Sequence, residues 1–233
     1  MDRLLLLRTL MQKKHLKNYL EIGVFNGHIF FRIKSTFKLA VDPYFRFDTS
    51  RKIGKAVINP YNLFNQYFEK TSDDFFSQDA PKLFSGKKID IALIDGMHEY
   101  NFVLRDIENT VRYMQDDAVI IIHDCNPQSR EAAVSPEEWE ARGGNDTWNG
   151  NVWKSIVHLR SLRSDLTSFV LDCDYGLGIV VKKKNQNPLG FSKTQIDSFS
   201  YEDLAANREK WLDLRPASFA YEFFGLDPVS SSR

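Results

Sequence analysis

The sequence predicts an α/β protein, a doubly wound and mostly parallel sheet with helices on both faces. Three observations carry that expectation. Short apolar runs alternate along the chain with stretches of helical spacing, the pattern of repeated strand–helix units. The run Ala118-Val119-Ile120-Ile121-Ile122 contains no polar residue, as in a strand covered on both faces. Finally, acidic residues close several runs: Glu21, Asp42, Asp95 and Asp124. In such sheets ligands bind beyond the carboxyl ends of the strands.

Residues 3–15 are rich in good helix formers, so an N-terminal helix is expected over 1–16. Residues 17–23 read as a first strand stopping at Gly23, and Ile29, Phe30, Phe31 and Ile33 as a buried helix behind it. A second strand, 37–42, is ended by Asp42 and Pro43. Residues 44–62 look irregular and 62–69 helical, leading to Ser72-Asp73-Asp74-Phe75-Phe76. A clear strand spans 89–95, and Val103, Ile107, Val111 and Met114 then recur at helical spacing. After the strand at 118–124, the Gly- and Pro-containing stretch 126–150 reads as an insertion or lid within a main domain over 17–184. A helix at 152–162 and strands at 168–172 and 178–182 complete that domain. Residues 185–233 form a C-terminal extension with one helix, at 201–212, and a disordered end. Residues 219–224 are expected to dock on the body or on a partner, and a homodimer through the terminal segments is one expectation.

Composition narrows the function classes. The 233 residues suffice for one large domain, and 42% hydrophobic with 27% charged residues is ordinary for a globular chain. Lys plus Arg and Asp plus Glu are both 31, so the basic surplus of a nucleic-acid binder is missing, although a local basic patch is not excluded. Two cysteines, Cys125 and Cys173, make neither a disulfide framework nor a four-ligand zinc site, which suits a reducing compartment. The early apolar run, residues 4–7, is far shorter than the ~20 residues that span a bilayer. The expectation is a cytoplasmic protein with no membrane or nucleic-acid partner and a small-molecule substrate.

The segment Glu21-Ile22-Gly23-Val24-Phe25-Asn26-Gly27 fits Glu-x-Gly-x-x-x-Gly, whose glycines allow backbone to approach a ligand at a strand-to-helix turn. It does not fit the Gly-x-Gly-x-x-Gly of dinucleotide sites, because Phe25 and His28 occupy glycine positions. The arrangement resembles motif I of class I S-adenosylmethionine-dependent methyltransferases, a Rossmann-like fold with a seven-stranded sheet. The segments around Ser72, Asp95 and Asp124 are similar to one branch of that family, metal-dependent O-methyltransferases of sugars and other small molecules. The resemblance covers residues 17–182. It implies that Glu21, Gly23, Asn26 and Gly27 form the cofactor turn and that Asp42 accepts from the ribose hydroxyls, a task suited to a carboxylate. It also implies that Ser72, Asp73 and Asp95 line the rest of the cofactor site. A divalent cation such as Mg2+ would be held by Asp95 and Asp124. The family's third ligand position carries Cys125, a poor partner for a hard ion. Its carboxylate base position carries Met97, which cannot take a proton.

Methyl transfer to oxygen needs the acceptor's proton removed. His98 and His123 are imidazoles near the expected site, and His98 is the expected base beside Asp95, because the loop after the fourth strand faces the acceptor. His123 is expected to point away from its neighbour's side chain. Structural readings stand beside these. Glu21 and Gly23 also suit a plain strand-end turn, Ser72 and Asp73 a helix cap, and Trp148 and Trp153 packing under a lid. At the level of function, the alternatives are a catalytically inactive module of the same fold and a nicotinamide-dependent oxidoreductase.

Overall fold

The computed structural model describes residues 1–226; the expected disordered end lies outside the described residues apart from its first part. The described residues build one eight-stranded sheet in the order β3-β2-β1-β4-β5-β7-β6-β8. The strands are β1 (Asn18–Ile22), β2 (Phe37–Asp42), β3 (Asn65–Glu69), β4 (Ile89–Ile94), β5 (Met114–Ile122), β6 (Thr167–Asp172), β7 (Leu177–Val181) and β8 (Leu214–Pro216). The first five run parallel, and β7 is antiparallel to both β5 and β6. The strand beyond the expected seven is β8, three residues laid parallel on the outer edge of β6. β1 pairs with β2 on one side and β4 on the other, so the chain order reverses there. A crevice at the strand ends is expected at that switch.

Alternation along the strands divides the core. Leu20 and Ile22 of β1 and Ile120 and Ile122 of β5 face one layer. That layer contains α3 (Ser72–Gln78), α4 (Ala80–Leu83), α5 (Tyr100–Tyr113), α7 (Trp153–Leu162), α8 (Lys193–Ser198) and α9 (Tyr201–Leu212). Tyr19, Val119 and Ile121 face the other, where α1 (Arg3–Lys13) lies and α10 (Phe219–Phe224) docks, with Phe223 packed 4.7 Å from the Phe169 ring. Side chains two residues apart in a strand share a face. Glu21 therefore points with Tyr19 toward the α1 layer. No helix among the described residues is long and apolar enough to cross a membrane.

Four expected elements differ. The buried helix after β1 is a single 3-10 turn, Phe30–Arg32. Too few residues separate Gly27 from β2 for a full helix and its return. The carbonyls left over are satisfied by side chains: the fully buried Lys38 donates to Phe30 and Ile33, and the Asn62 amide donates to Phe31. The supposed helix at 62–69 is a 3-10 turn followed by edge strand β3, whose partly exposed, polar pattern hid its period. The irregular stretch contains α2 (Thr49–Ile58), which buries none of its residues and so gave no core-facing stripe. The C-terminal extension holds α8, α9, β8 and α10 rather than one helix.

Candidate active site

A cavity of about 450 Å3 opens at the β1/β4 crevice, lined among others by Gly23, Asp42, Ser72, Asp73, Asp95 and Met97. Gly23 has φ +83, and a Cβ there would lie 2.2 Å from the Asp95 carbonyl oxygen. Only glycine lets β1 turn this close to the end of β4. Asp42, 9% exposed, accepts from the Phe25 amide at 2.7 Å through Oδ2 and from the Tyr44 amide at 2.8 Å through Oδ1. It thus fixes the glycine turn to the end of β2, and each carboxylate oxygen retains acceptor capacity toward the cavity.

Of the expected cofactor residues, Gly23, Asp42, Ser72, Asp73 and Asp95 line this cavity. Glu21, Asn26 and Gly27 are not among its lining residues. Glu21 is buried under the α1 layer, accepting from the Tyr19 hydroxyl, and burial pushes its carboxyl up to about 8. Asn26 accepts from the His28 amide, and Gly27 makes room for the Phe31 ring. The cap of α3 is Thr71 rather than Ser72, and Asp73 pairs with Arg105 at 3.0 Å on the rim. Sequence reasoning missed Asp106. It is 4% exposed, forms part of the cavity wall, and its Oδ1 has no hydrogen-bond partner; burial pushes this carboxyl up to about 7.

Beyond Asp95 the cavity meets a compact polar cluster. Asp95, His98 and Asp124 each offer a ligand atom, all within 4.8 Å of one another. His98 Nδ1 donates to the Trp148 carbonyl at 2.8 Å, so Nε2 is the nitrogen that faces Asp124 Oδ2, at 3.2 Å. His123 does not point away from its neighbour. Asp124 has φ +62, which breaks the strand's alternation and brings both side chains into the cluster. His123 Nε2 lies 2.8 Å from Arg3 Nη1, and Nδ1 donates to Asp124 Oδ2 at 2.7 Å. Arg3, delivered by the first turn of α1, lies 3.2 Å from Asp95 and also binds Asp174 in the β6–β7 loop. Motif spacing carries no signal for Arg3 or Asp174, because both come from distant chain segments.

The lid segment pins this cluster from above. Gly150 has φ +59, and a Cβ there would lie 1.8 Å from the His98 carbonyl oxygen. Trp148 lies against the His98 ring with centroids 5.0 Å apart, and Trp139 of α6 (Pro136–Ala141) stacks on Trp148. Trp153 instead packs in the core against Trp211.

The donor set fits a divalent cation at the expected Asp95 and Asp124, with the third position filled differently from the family pattern. Cys125 is fully buried, its thiol packed against Gly178 and pushed up by burial, so it is no ligand. Asn126 is occupied with Asp172 and Arg208. In their place stand His98 and Asn149, whose amide donates to Asp124 Oδ1 at 2.6 Å while its own Oδ1 is buried without a partner. Three carboxylates, Asp95, Asp124 and Asp174, surround one guanidinium, and an oxygen-rich site with surplus negative charge suits a hard ion.

Residues 20–125, from β1 through the end of β5, match the family described as a methyltransferase domain. Over that stretch the chain is similar to methyltransferase domains. Solved structures of the same fold include cofactor-bound Rv0187 from MTB, with TM-score 0.55 and 13% identity over 78% of each chain. The O-methyltransferase TomG from Streptomyces achromogenes, involved in tomaymycin synthesis and solved with SAM, gives 0.52 and 13% over 76% of this chain and 78% of that one. SAH-bound PaMTH1 from Podospora anserina gives 0.52 and 12% over 75% of each. Among curated proteins, none matches the sequence. The matched stretch spans both the cavity and the two strand-end aspartates of the cluster.

Proposed function

We propose that the protein methylates a hydroxyl oxygen of a small molecule, with a sugar or glycoside as the favoured acceptor class. The observation that carries this reading is the junction at Asp95, which borders both the cavity and the Asp95–His98–Asp124 cluster. A cofactor in the cavity would thus present its reactive end to a group of proton acceptors. S-adenosylmethionine supplies an electrophilic methyl on a sulfonium, whose C–S bond breaks as the C–O bond forms.

The chain's own residues then have distinct tasks. Asp42 accepts from the ribose hydroxyls, and Asp106 offers its free Oδ1 to a donor on the base. His98 takes the acceptor's proton at Nε2, with the Trp148 carbonyl fixing the ring's orientation and Asp124 stabilising the imidazolium. Met97, 48% exposed at the cavity mouth, stands where relatives carry a carboxylate, so the base role falls to His98. Nε2 has one lone pair, and its use as a base leaves a divalent cation to Asp95, Asp124 and the Asn149 oxygen. Such an ion would lower the acceptor hydroxyl's pKa and orient it. Trp148 and Tyr175, at the outer edge of the cluster, offer aromatic surface to the acceptor.

Calorimetry with S-adenosylhomocysteine tests the first half; no heat and no thermal shift at millimolar ligand removes the idea. Asp42→Ala is expected to weaken that binding about 10- to 100-fold through lost charged hydrogen bonds, whereas Asp95→Ala mainly lowers turnover. Equal loss of binding in both variants contradicts the assigned roles. A second reading, a cofactor-binding module without catalysis, draws on Met97 and Cys125; methylation of any glycoside or phenol in an acceptor panel eliminates it.

A further inference from the structure

A second cavity, about 460 Å3, lies behind the glycine turn and shares no lining residue with the cofactor cavity. Its wall carries Arg8 from α1, Arg32 and Lys34 from the loop before β2, and Arg51 and Lys55 from α2. No acidic residue lines it. None of these five cations takes part in a salt bridge among the described residues, although cations elsewhere on the surface do, such as Lys70, Arg105, Arg163 and Lys193. The chain as a whole is neutral, so this is a local concentration of charge.

His28 reports the field inside the cavity. Its Nε2 lies 3.2 Å from Arg32 Nη1 and therefore accepts. Burial, together with the charges of Arg32, Arg3 and Lys55, holds its imidazole below the ordinary range. Like charges gathered around a concavity repel one another, and the low-dielectric walls focus that field outward. An oxyanion relieves the repulsion, and guanidinium forks match its geometry. The rim adds Ile58, 79% exposed, and Tyr61, 39% exposed, which offer apolar surface to whatever carries the anion.

We propose that this cavity is a second binding site, taking a phosphate group between Arg8, Arg32, Lys34, Arg51 and Lys55. The phosphate belongs to a soluble phosphorylated small molecule or to an anionic lipid headgroup, and two probes separate these sources. The first is inorganic pyrophosphate, titrated calorimetrically at low ionic strength. The second is a flotation assay with vesicles of phosphatidylcholine, with and without phosphatidylserine. Saturable pyrophosphate binding that weakens with salt supports a soluble ligand; retention only on phosphatidylserine vesicles supports a headgroup. In either case the double variant Arg32→Glu/Arg51→Glu is expected to bind at least about tenfold more weakly, since each reversed charge replaces a charge-assisted contact by repulsion. An unchanged thermal midpoint and unchanged S-adenosylhomocysteine affinity show that the variant is folded and its cofactor cavity intact. Should it unfold, Arg51→Glu/Lys55→Glu, confined to exposed α2, takes its place. The site is refuted if neither probe binds, or if binding survives charge reversal. These readouts do not depend on methyl transfer, so the cavity and the catalytic assignment stand or fall separately.

Discussion

The two halves of the candidate active site are built in opposite ways. The proposed cofactor cavity is assembled from strand ends and the turns directly after them, and its walls come from within one stretch, residues 22–106. The polar cluster is assembled across the chain: Arg3 from the first helix, Asp95 and His98 after β4, His123 and Asp124 after β5, Asn149 from the lid, and Asp174 between β6 and β7. Its partners are fixed by one another more than by the strands that carry them. A turn encoded in seven consecutive residues is set by local backbone preference, whereas a charge cluster exists only once tertiary structure brings its members together.

The substitution expected to erase the contrast is Gly23→Ala. The new methyl collides with the Asp95 carbonyl and the backbone loses its permitted φ, so both halves shift. S-adenosylhomocysteine affinity should fall at least about 100-fold, corresponding to the ~3 kcal/mol that such strain costs. Retained binding would show that β1 and β4 can separate without harm. Asp124→Ala sharpens the contrast instead. It removes the partner of His98, His123 and Asn149 yet lies outside the cavity wall, so kcat should drop about 10²- to 10³-fold, the scale of a lost acid–base or charge-stabilising group. Cofactor affinity should stay within about threefold; a parallel loss of affinity would merge the two halves.

A smaller effect is expected from Arg3→Met, which keeps much of the side-chain volume and removes the guanidinium shared by Asp95, His123 and Asp174. Turnover should fall about tenfold, in keeping with the loss of charge-assisted hydrogen bonds, with S-adenosylhomocysteine binding unchanged by calorimetry. The smallest effect concerns Asp106 and appears as pH dependence. Its carboxyl is raised to about 7 in the folded protein. The stability it contributes by holding a proton is complete below the unfolded value near 3.8 and is lost as pH rises through about 7. Asp106→Asn should therefore flatten the decline in melting temperature between pH 4 and pH 7, values bracketed by those two protonation ranges. Identical pH profiles for the variant and the parent would show that Asp106 is ionised throughout that interval.

The sequence exposed the architecture wherever burial was two-sided or the turn chemistry was local. The unbroken β5 run, the Gly23 turn and the aspartates ending β2 and β4 were all legible for that reason. Edge strand β3 was not, because a partly exposed polar strand lacks a hydrophobic period. Helix α2 was hidden in the same way, having no buried face. His123 was misread because the alternation rule assumes extended backbone, and Asp124 departs from it. Glu21 illustrates the reverse error: the motif includes it, yet the pleat turns its side chain to the other layer, away from the cavity.

The bond between Arg3 and Asp174 joins positions 171 apart. Long-range closures cost chain entropy before they return any contact energy, so they form late. During synthesis the cavity can therefore take shape around the nascent parallel strands, while the polar cluster waits until the β6–β7 loop has left the ribosome and met the opening helix. Assembly of the polar cluster is thus gated by synthesis of the β6–β7 loop, with one arginine as the closing piece.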